Sequence, residues 1–221
     1  MRGLIILGAT TFAKLVHFYA VNDLGMKVLG FAVDEAHKVT DEFISLPVFT
    51  WTEVLEKFPV GEITLFVAVG YKSLRLREAV YARVKGAGYE LTNIVCASGF
   101  VAMDVVMGDN NIVMPGAVIE PGVVMGANNV VWSNATICHD CIMGSHNFIA
   151  ANSTIGGAVS LGNQNFLGLS SVIFQGRRIG NETLIGAQTM VNQDTQSLSE
   201  YRGIPAKRIS SIDPDIGVTV G

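Results

Sequence analysis

The sequence predicts two parts of different class: an α/β domain with a parallel sheet over residues 1–95, then an all-β parallel β-helix over residues 96–221. Three observations carry this. The first part alternates strand-like and helix-like segments, which implies a parallel sheet covered on both faces. The second part places an aliphatic residue at every sixth position from Met107 to Val191, fifteen times without a miss. A glycine often follows that residue, as at Gly108, Gly126, Gly144, Gly156, Gly168 and Gly186.

The first part reads element by element as a small Rossmann-like domain. Leu4-Ile5-Ile6-Leu7 is a continuous apolar run ending at Gly8, the mark of a buried strand that turns sharply. A helix is expected over 11–23, with Phe12, Leu15, Val16 and Tyr19 on one face. A second strand covers 27–34, and an irregular stretch containing Pro47 follows. Thr50 is placed to cap a short helix over 51–58. The run Ile63-Thr64-Leu65-Phe66-Val67-Ala68-Val69-Gly70 is the strongest strand of this part. A helix over about 73–85 and a strand over 90–95 complete it.

A period of six fits neither the 3.6-residue turn of a helix nor the two-residue repeat of a long strand. It fits a short strand, a tight corner and another short strand, with the aliphatic side chain inward. Gly or Asn is expected to absorb the unusual backbone angle at the corner. Three hexads close one triangular coil, so the fifteen hexads make five coils. At about 4.8 Å per coil the prism is about 24 Å long. The alternative is a chance pattern in a β sandwich, which an unbroken series of this length disfavours.

Composition narrows the function classes. The chain has 221 residues, 49% hydrophobic and 15% charged, with a formal net charge of −4. That balance and the lack of clustered Lys and Arg argue against a nucleic-acid partner. No stretch approaches the apolar length of a membrane helix, so no membrane insertion is expected. The opening residues lack the apolar region and cleavage site of a signal peptide. Cys96, Cys138 and Cys141 are an odd number, which disfavours a disulfide framework and makes a cytoplasmic location the expectation.

Several groups of residues invite chemistry. Gly8-Ala9-Thr10-Thr11-Phe12-Ala13 joins a strand to a helix, as a phosphate site at a helix N-terminus does, with Gly8, Thr10 and Thr11 as candidates. It lacks the full dinucleotide fingerprint, so an NAD site is not expected. Asp34 ends the second strand and either holds a ribose or base or is a solvated turn residue. Gly70, Tyr71 and Arg75 follow the third strand at its carboxyl end, where such sheets bind ligands. The plain alternative for Arg75 is a helix surface charge. Cys138-His139-Asp140-Cys141 resembles half a zinc site, but no second pair of ligands is present and both cysteines sit at ordinary small-residue positions, so no metal is expected. Arg177, Arg178, Lys207 and Arg208 are candidate phosphate partners or simple surface charges.

The hexads, the run Ile137-Cys138-His139-Asp140-Cys141-Ile142-Met143-Gly144 and the closing Gly203-Ile204-Pro205-Ala206-Lys207 together resemble the hexapeptide-repeat acyltransferases. Nearly the whole chain resembles one subgroup, the bacterial N-acyltransferases of nucleotide-linked amino sugars, with the sialic acid O-acetyltransferases as close relatives. The resemblance implies left-handed coiling, against the right-handed default of crossovers. It implies acetyl-CoA, or another acyl-CoA, as co-substrate and a homotrimer with each active site between two subunits. It makes His139 the general base, with Asp140 beside it to orient the ring or favour its charged form. A backbone N–H beside Gly144 or Gly156 is the candidate donor to the thioester oxyanion. Coenzyme A is expected along the outer face of the coils, near Gly144, His146, Asn147, Gly156, Gly168 and Gly186. The turn Pro205-Ala206-Lys207 is a further contact. The first domain would hold the nucleotide sugar through Gly8, Thr10, Thr11, Asp34, Gly70, Tyr71 and Arg75.

The chain also departs from that family. Relatives commonly carry a second histidine where Asn147 stands, and His146 precedes it. Thr11-Phe12 replaces a Gly-His pair, and Trp132 replaces a small or polar residue. The metal-dependent carbonic anhydrases of this fold need a third histidine in the β-helix that is missing here. Two rival readings stand beside N-acylation: acylation of a sugar hydroxyl, and a binding protein on the same scaffold without catalysis.

Overall fold

The computed structural model describes residues 2–69 and 72–220. It divides into two compact units, one ending at Ile94 and one beginning at Val95, with residues 72–75 grouped with the second.

The first unit is a five-stranded sheet. Its strands are β1 (Gly3–Leu7), β2 (Val28–Val33), β3 (Glu42–Phe43), β4 (Leu46–Thr50) and β5 (Ile63–Val67), in the order β3-β4-β2-β1-β5. β1 lies parallel to β2 and β5, and β2 lies parallel to β4. Helices α1 (Thr11–Asn22), α2 (Trp51–Lys57) and α3 (Leu74–Gly86) connect them. Leu4, Ile5 and Ile6 are fully buried at the centre, as a strand covered on both faces requires. Thr50 and Glu53 form a reciprocal capping box at the start of α2, the side chain of each accepting the other's N–H.

Two expectations for this unit are corrected. The irregular stretch before residue 50 is an antiparallel hairpin of β3 and β4. Its two turn residues, Ile44 and Ser45, both have positive φ (51° and 58°), as a tight hairpin with matching twist demands. Neither residue type signals such a turn, so the sequence hid it. The strand expected over 90–95 does not form in this sheet: only an isolated bridge joins Leu91 to Leu65, and Ile94–Val95 is instead the edge strand of the eight-stranded sheet of the second unit.

The second unit is a left-handed parallel β-helix. Two-residue strands recur along it and stack 18 residues apart into three parallel sheets, for example Val118↔Thr136 and Ile119↔Ile137. The sheets hold six, five and eight strands. The last closes with Ser199–Arg202 paired antiparallel to Lys207–Ser211. Every hexad aliphatic residue from Val113 to Val191 is at most 3% exposed, and Met107 packs against the same core at its open end. Coil-to-coil N–H···O=C bonds run throughout, such as Val124 N to Cys141 O and Ile142 N to Val159 O, both 2.9 Å. No helix among the described residues is long and apolar enough to cross a membrane.

Gly and Asn take the left-handed backbone at many corners, as expected, with Gly116 (φ 72°), Gly122 (76°) and Gly176 (69°) beside the asparagines. Left-handed φ falls three residues after the aliphatic residue, at Asn110 (56°), Asn128 (58°), Asn134 (58°), Asp140 (58°) and His146 (64°). The glycine directly after the aliphatic residue answers a steric demand instead. A Cβ at Gly108 would lie 2.9 Å from Ala127 N, and one at Gly168 2.5 Å from Ala187 N, both backbone atoms of the next coil.

A buried ladder reinforces one edge. The side-chain oxygens of Asn111, Asn129 and Asn147 accept the backbone N–H of Asn129, Asn147 and Asn165 at 2.8–2.9 Å, and Asn165 serves Thr183 in the same way. All four asparagines are fully buried. Each supplies an acceptor to an interior donor that would otherwise lack one.

Candidate active site

Stacking 18 residues apart turns positions of the sequence into columns along one corner of the prism. One column reads Glu120, Cys138, Gly156, Phe174, and its neighbour reads Pro121, His139, Gly157, Gln175. A cavity of about 660 Å³ opens there, lined by Glu120, Cys138, His139, Gly156, Gly157, Phe174 and Gln175 among others. Gly156-Gly157 forms a coil corner without side chains, and the bulk on either side makes it a notch.

His139 projects from the rim, its side chain 63% exposed. Its Nδ1 lies 2.9 Å from Asp140 Oδ2. Left-handed backbone at Asp140 brings the two consecutive side chains together. With Nδ1–H donating to the carboxylate, Nε2 of the neutral ring is a proton acceptor. The hydrogen bond to Asp140 raises the His139 pKa above its ordinary value; burial opposes it, and the charges of Asp140 and then Glu120 add smaller raises. Glu120 Oε2 accepts the backbone N–H of His139 at 2.8 Å, which fixes the loop that carries the ring. Nε2 points towards Gly157, where a Cβ would stand only 2.7 Å away.

Of the expected oxyanion donors, the amides of the two hexad glycines themselves are taken. Gly144 N–H donates to Leu161 O at 2.8 Å and Gly156 N–H to Ile173 O at 2.9 Å, so both belong to the coil ladder. The N–H groups of Gly168 and Gly186 are engaged in the same way, by Ile185 O and Tyr201 O. The Gly157 N–H meets no acceptor among the described residues. One coil earlier the equivalent N–H, that of His139, is held by Glu120; beside Gly157 the residue in Glu120's place is Cys138, a poor acceptor. The sequence pointed to an N–H beside Gly156 but could not say which amide is left open, because that depends on which neighbour faces which amide.

Asn147 is also corrected. It is fully buried within the asparagine ladder and presents nothing to a ligand in this chain. His146 occupies a left-handed corner at 9% exposure, and its Nδ1 lies 2.9 Å from Asn128 Nδ2. Neither lines the notch. Pro205, Ala206 and Lys207 close the last coil, where Ala206 N–H donates to Met190 O at 2.8 Å, and they too stand outside the notch lining. Burial raises the thiol pKa of Cys138, and that of Cys141 to about 11, so both stay protonated at neutral pH. Among the described residues no group of three His, Cys, Asp or Glu side chains is arranged to hold a metal.

The first unit has its own cavity, of about 420 Å³, at the carboxyl ends of β1 and β2. Gly8, Thr10 and Asp34 line it as the sequence suggested, together with His37, Trp51 and Arg83, which the sequence did not single out. Gly8 has φ +124°, and a Cβ there would meet Ala68 O at 2.7 Å, so only glycine lets the strand turn into α1. Helix α1 begins at the cavity without a side-chain cap or an acidic residue in its first turn, leaving its positive end open to an anion. Arg83 pairs with Asp34 at 2.6 Å and lies 5.1 Å from the Trp51 ring centroid. Thr11 is exposed and outside the lining. Arg75 is corrected: its guanidinium makes a two-pronged pair with Glu182 at 2.8 and 2.9 Å and donates to Pro214 O, all within the second unit. Gly70 and Tyr71 lie outside the described residues.

Residues 104–139 and 124–157 match the model of the bacterial transferase hexapeptide family (six repeats). Three solved structures superpose on almost the full chain. PerB from Caulobacter crescentus, in complex with CoA and GDP-perosamine, is 26% identical, covers 95% of this chain and 98% of its own, and has a TM-score of 0.84. The acetyltransferase domain of PglB from Neisseria gonorrhoeae is 23% identical, covers 95% of this chain and all (100%) of its own, and has a TM-score of 0.84. WeeI from Acinetobacter baumannii is 17% identical over 95% and 100% of the two chains, with a TM-score of 0.84. The latter two establish the shared fold. No curated protein matches the chain by sequence.

Proposed function

We propose that this protein transfers an acyl group, an acetyl group above all, from acyl-CoA to the amine of a nucleotide-linked amino sugar. The observation that carries the reading is the His139–Asp140 pair, whose accepting Nε2 faces a notch with an open backbone amide at Gly157. The likeness to PerB, solved with CoA and GDP-perosamine, supports the choice of donor and acceptor classes.

In this reading each residue has a separate task. Asp140 fixes the tautomer of His139. His139 Nε2 takes a proton from the amine as its nitrogen bonds to the thioester carbonyl carbon. The Gly157 N–H donates to the oxygen that becomes negative. The imidazolium of His139 then returns the proton to the departing sulfur as the C–S bond breaks, leaving an amide and a free thiol. Cys138 and Cys141 take no part, since both thiols are held protonated. In the first unit, the open start of α1 and the Asp34–Arg83–Trp51 group would hold the phosphates and nucleoside. The functional assembly in this reading is a homotrimer with the notch completed by a neighbouring copy. Light scattering of the purified protein at three times the 23.6 kDa chain mass supports it, and a monomer refutes it.

The test is a panel of UDP-, dTDP- and GDP-linked amino sugars, GDP-perosamine among them, incubated with acetyl-CoA. Thiol release and product mass are followed. A base-stable acetylated product in the wild type, reduced about 10²- to 10⁴-fold in His139→Asn, supports the reading. A base-labile ester identifies hydroxyl acylation instead. Wild-type rates in His139→Asn refute the assigned base.

A further inference from the structure

We infer that Glu120 is the acceptor-binding residue that selects a cationic amine over a neutral hydroxyl; this rests on the acyltransferase reading above. Glu120 stands one coil before His139 and lines the same notch. It occupies the hexad position that is glycine in eight other hexads, where a side chain meets the next coil. Here the side chain is a carboxylate, and its Oε2 accepts the His139 N–H at 2.8 Å, which fixes its place.

That single hydrogen bond uses Oε2 and leaves Oε1 available to a ligand. The charge balance of the notch points the same way. Glu120 is a lining residue, Asp140 is paired to the lining His139, and no lysine or arginine belongs to the lining. A sugar amine at neutral pH is largely an ammonium, and such a groove attracts it; one proton then leaves to solvent, and the neutral amine so formed is the species that meets His139. A hydroxyl acceptor gains nothing from that field. The raised pKa of His139, to which Glu120 contributes, is consistent with one field acting on both cations.

Glu120→Gln tests this, because the amide oxygen can still accept the His139 N–H and so keep the base in place. The acceptor is whichever panel member the wild type turns over. The expected result is a rise of tenfold or more in KM for that amino sugar, with KM for acetyl-CoA and the melting temperature unchanged. Inhibition by the analogue with a hydroxyl in place of the amine should be the same in wild type and variant, so the preference for the amine disappears. Unchanged KM for the amine, or equal weakening of amine and hydroxyl compounds, overturns the inference while leaving the acyltransferase reading intact. No turnover by the wild type with any amino sugar removes that reading and this inference with it.

Discussion

Gly157→Ala separates the chemistry of the notch from the stability of the coil that builds it. A Cβ at residue 157 would sit 2.7 Å from His139 Nε2 and 2.8 Å from Cε1, where ordinary contact begins at 3.4 Å. The ring must therefore retreat by about 0.7 Å at the atom that takes the proton. It can do so cheaply, because the clash is with the tip of an exposed side chain and not with backbone. The residue's φ is not in the left-handed region, so alanine adds no backbone strain. Misplacement of this size costs a reaction about 10²-fold when the group must be aligned. The expected outcome is a kcat lowered about a hundredfold with a melting temperature within a degree or two of wild type. The neighbouring Gly156→Ala is the contrast. Its Cβ would meet Gln175 N at 2.6 Å and Ile173 O at 2.8 Å, both backbone, so its damage appears as lost stability. Steady-state kinetics and thermal unfolding of the two variants decide the matter. A Gly157→Ala enzyme with wild-type kcat would show that the position of Nε2 is not what sets the rate.

Asp140→Asn keeps the left-handed corner, which asparagine tolerates, but removes the main cause of the raised His139 pKa. The basic form of His139 is the active one, so activity falls as pH drops through that pKa; in the variant the midpoint of the kcat/KM profile moves to lower pH, and an unmoved midpoint refutes the pairing. Asn129→Ala leaves the buried Asn147 N–H without its 2.9 Å acceptor, at a cost of about 1–3 kcal/mol, read as a fall of several degrees in melting temperature. Arg83→Ala frees Asp34 and uncovers Trp51, and weakens binding of the free nucleoside diphosphate about tenfold in a thermal-shift titration without changing KM for acetyl-CoA.

Periodicity made the fold legible. The fifteen aliphatic positions that count off in sixes all pack into one core, because an inward side chain every sixth residue leaves few other geometries. His139 and Asp140 were legible as a pair for a chemical reason, since a histidine beside a carboxylate suits proton transfer. Contacts between coils were hidden. That Asn147 is sealed in a ladder follows from asparagines 18 residues before and after it, and that Gly156 has a bonded amide while Gly157 does not follows from two hydrogen bonds of the stack. In the first unit Arg83 and Trp51 are far apart in sequence and both read as helix residues. Only the fold brings them to Asp34.

A coil that repeats perfectly would present three featureless ridges, each column filled by one kind of residue. Such a prism is stable, because every corner solves the same backbone problem, but it has no place to hold a substrate. The site lies where neighbouring columns break their rule within three successive coils. The hexad position that is glycine in other columns carries Glu120 and Cys138 in this one, and the next column runs Pro121, His139, Gly157, Gln175, with a large side chain on each side of a missing one. The inward aliphatic residues at the same level, Ile119, Ile137, Ile155 and Ile173, do not change at all. Stability and chemistry therefore occupy different positions of the same hexad. Substitutions at outward corner residues should alter turnover and acceptor choice with little effect on folding, provided they avoid glycines that face backbone. The opposite behaviour at residues 120, 139 and 157, stability lost in step with activity, would mean that the corner is a structural joint and that the reaction is carried out elsewhere.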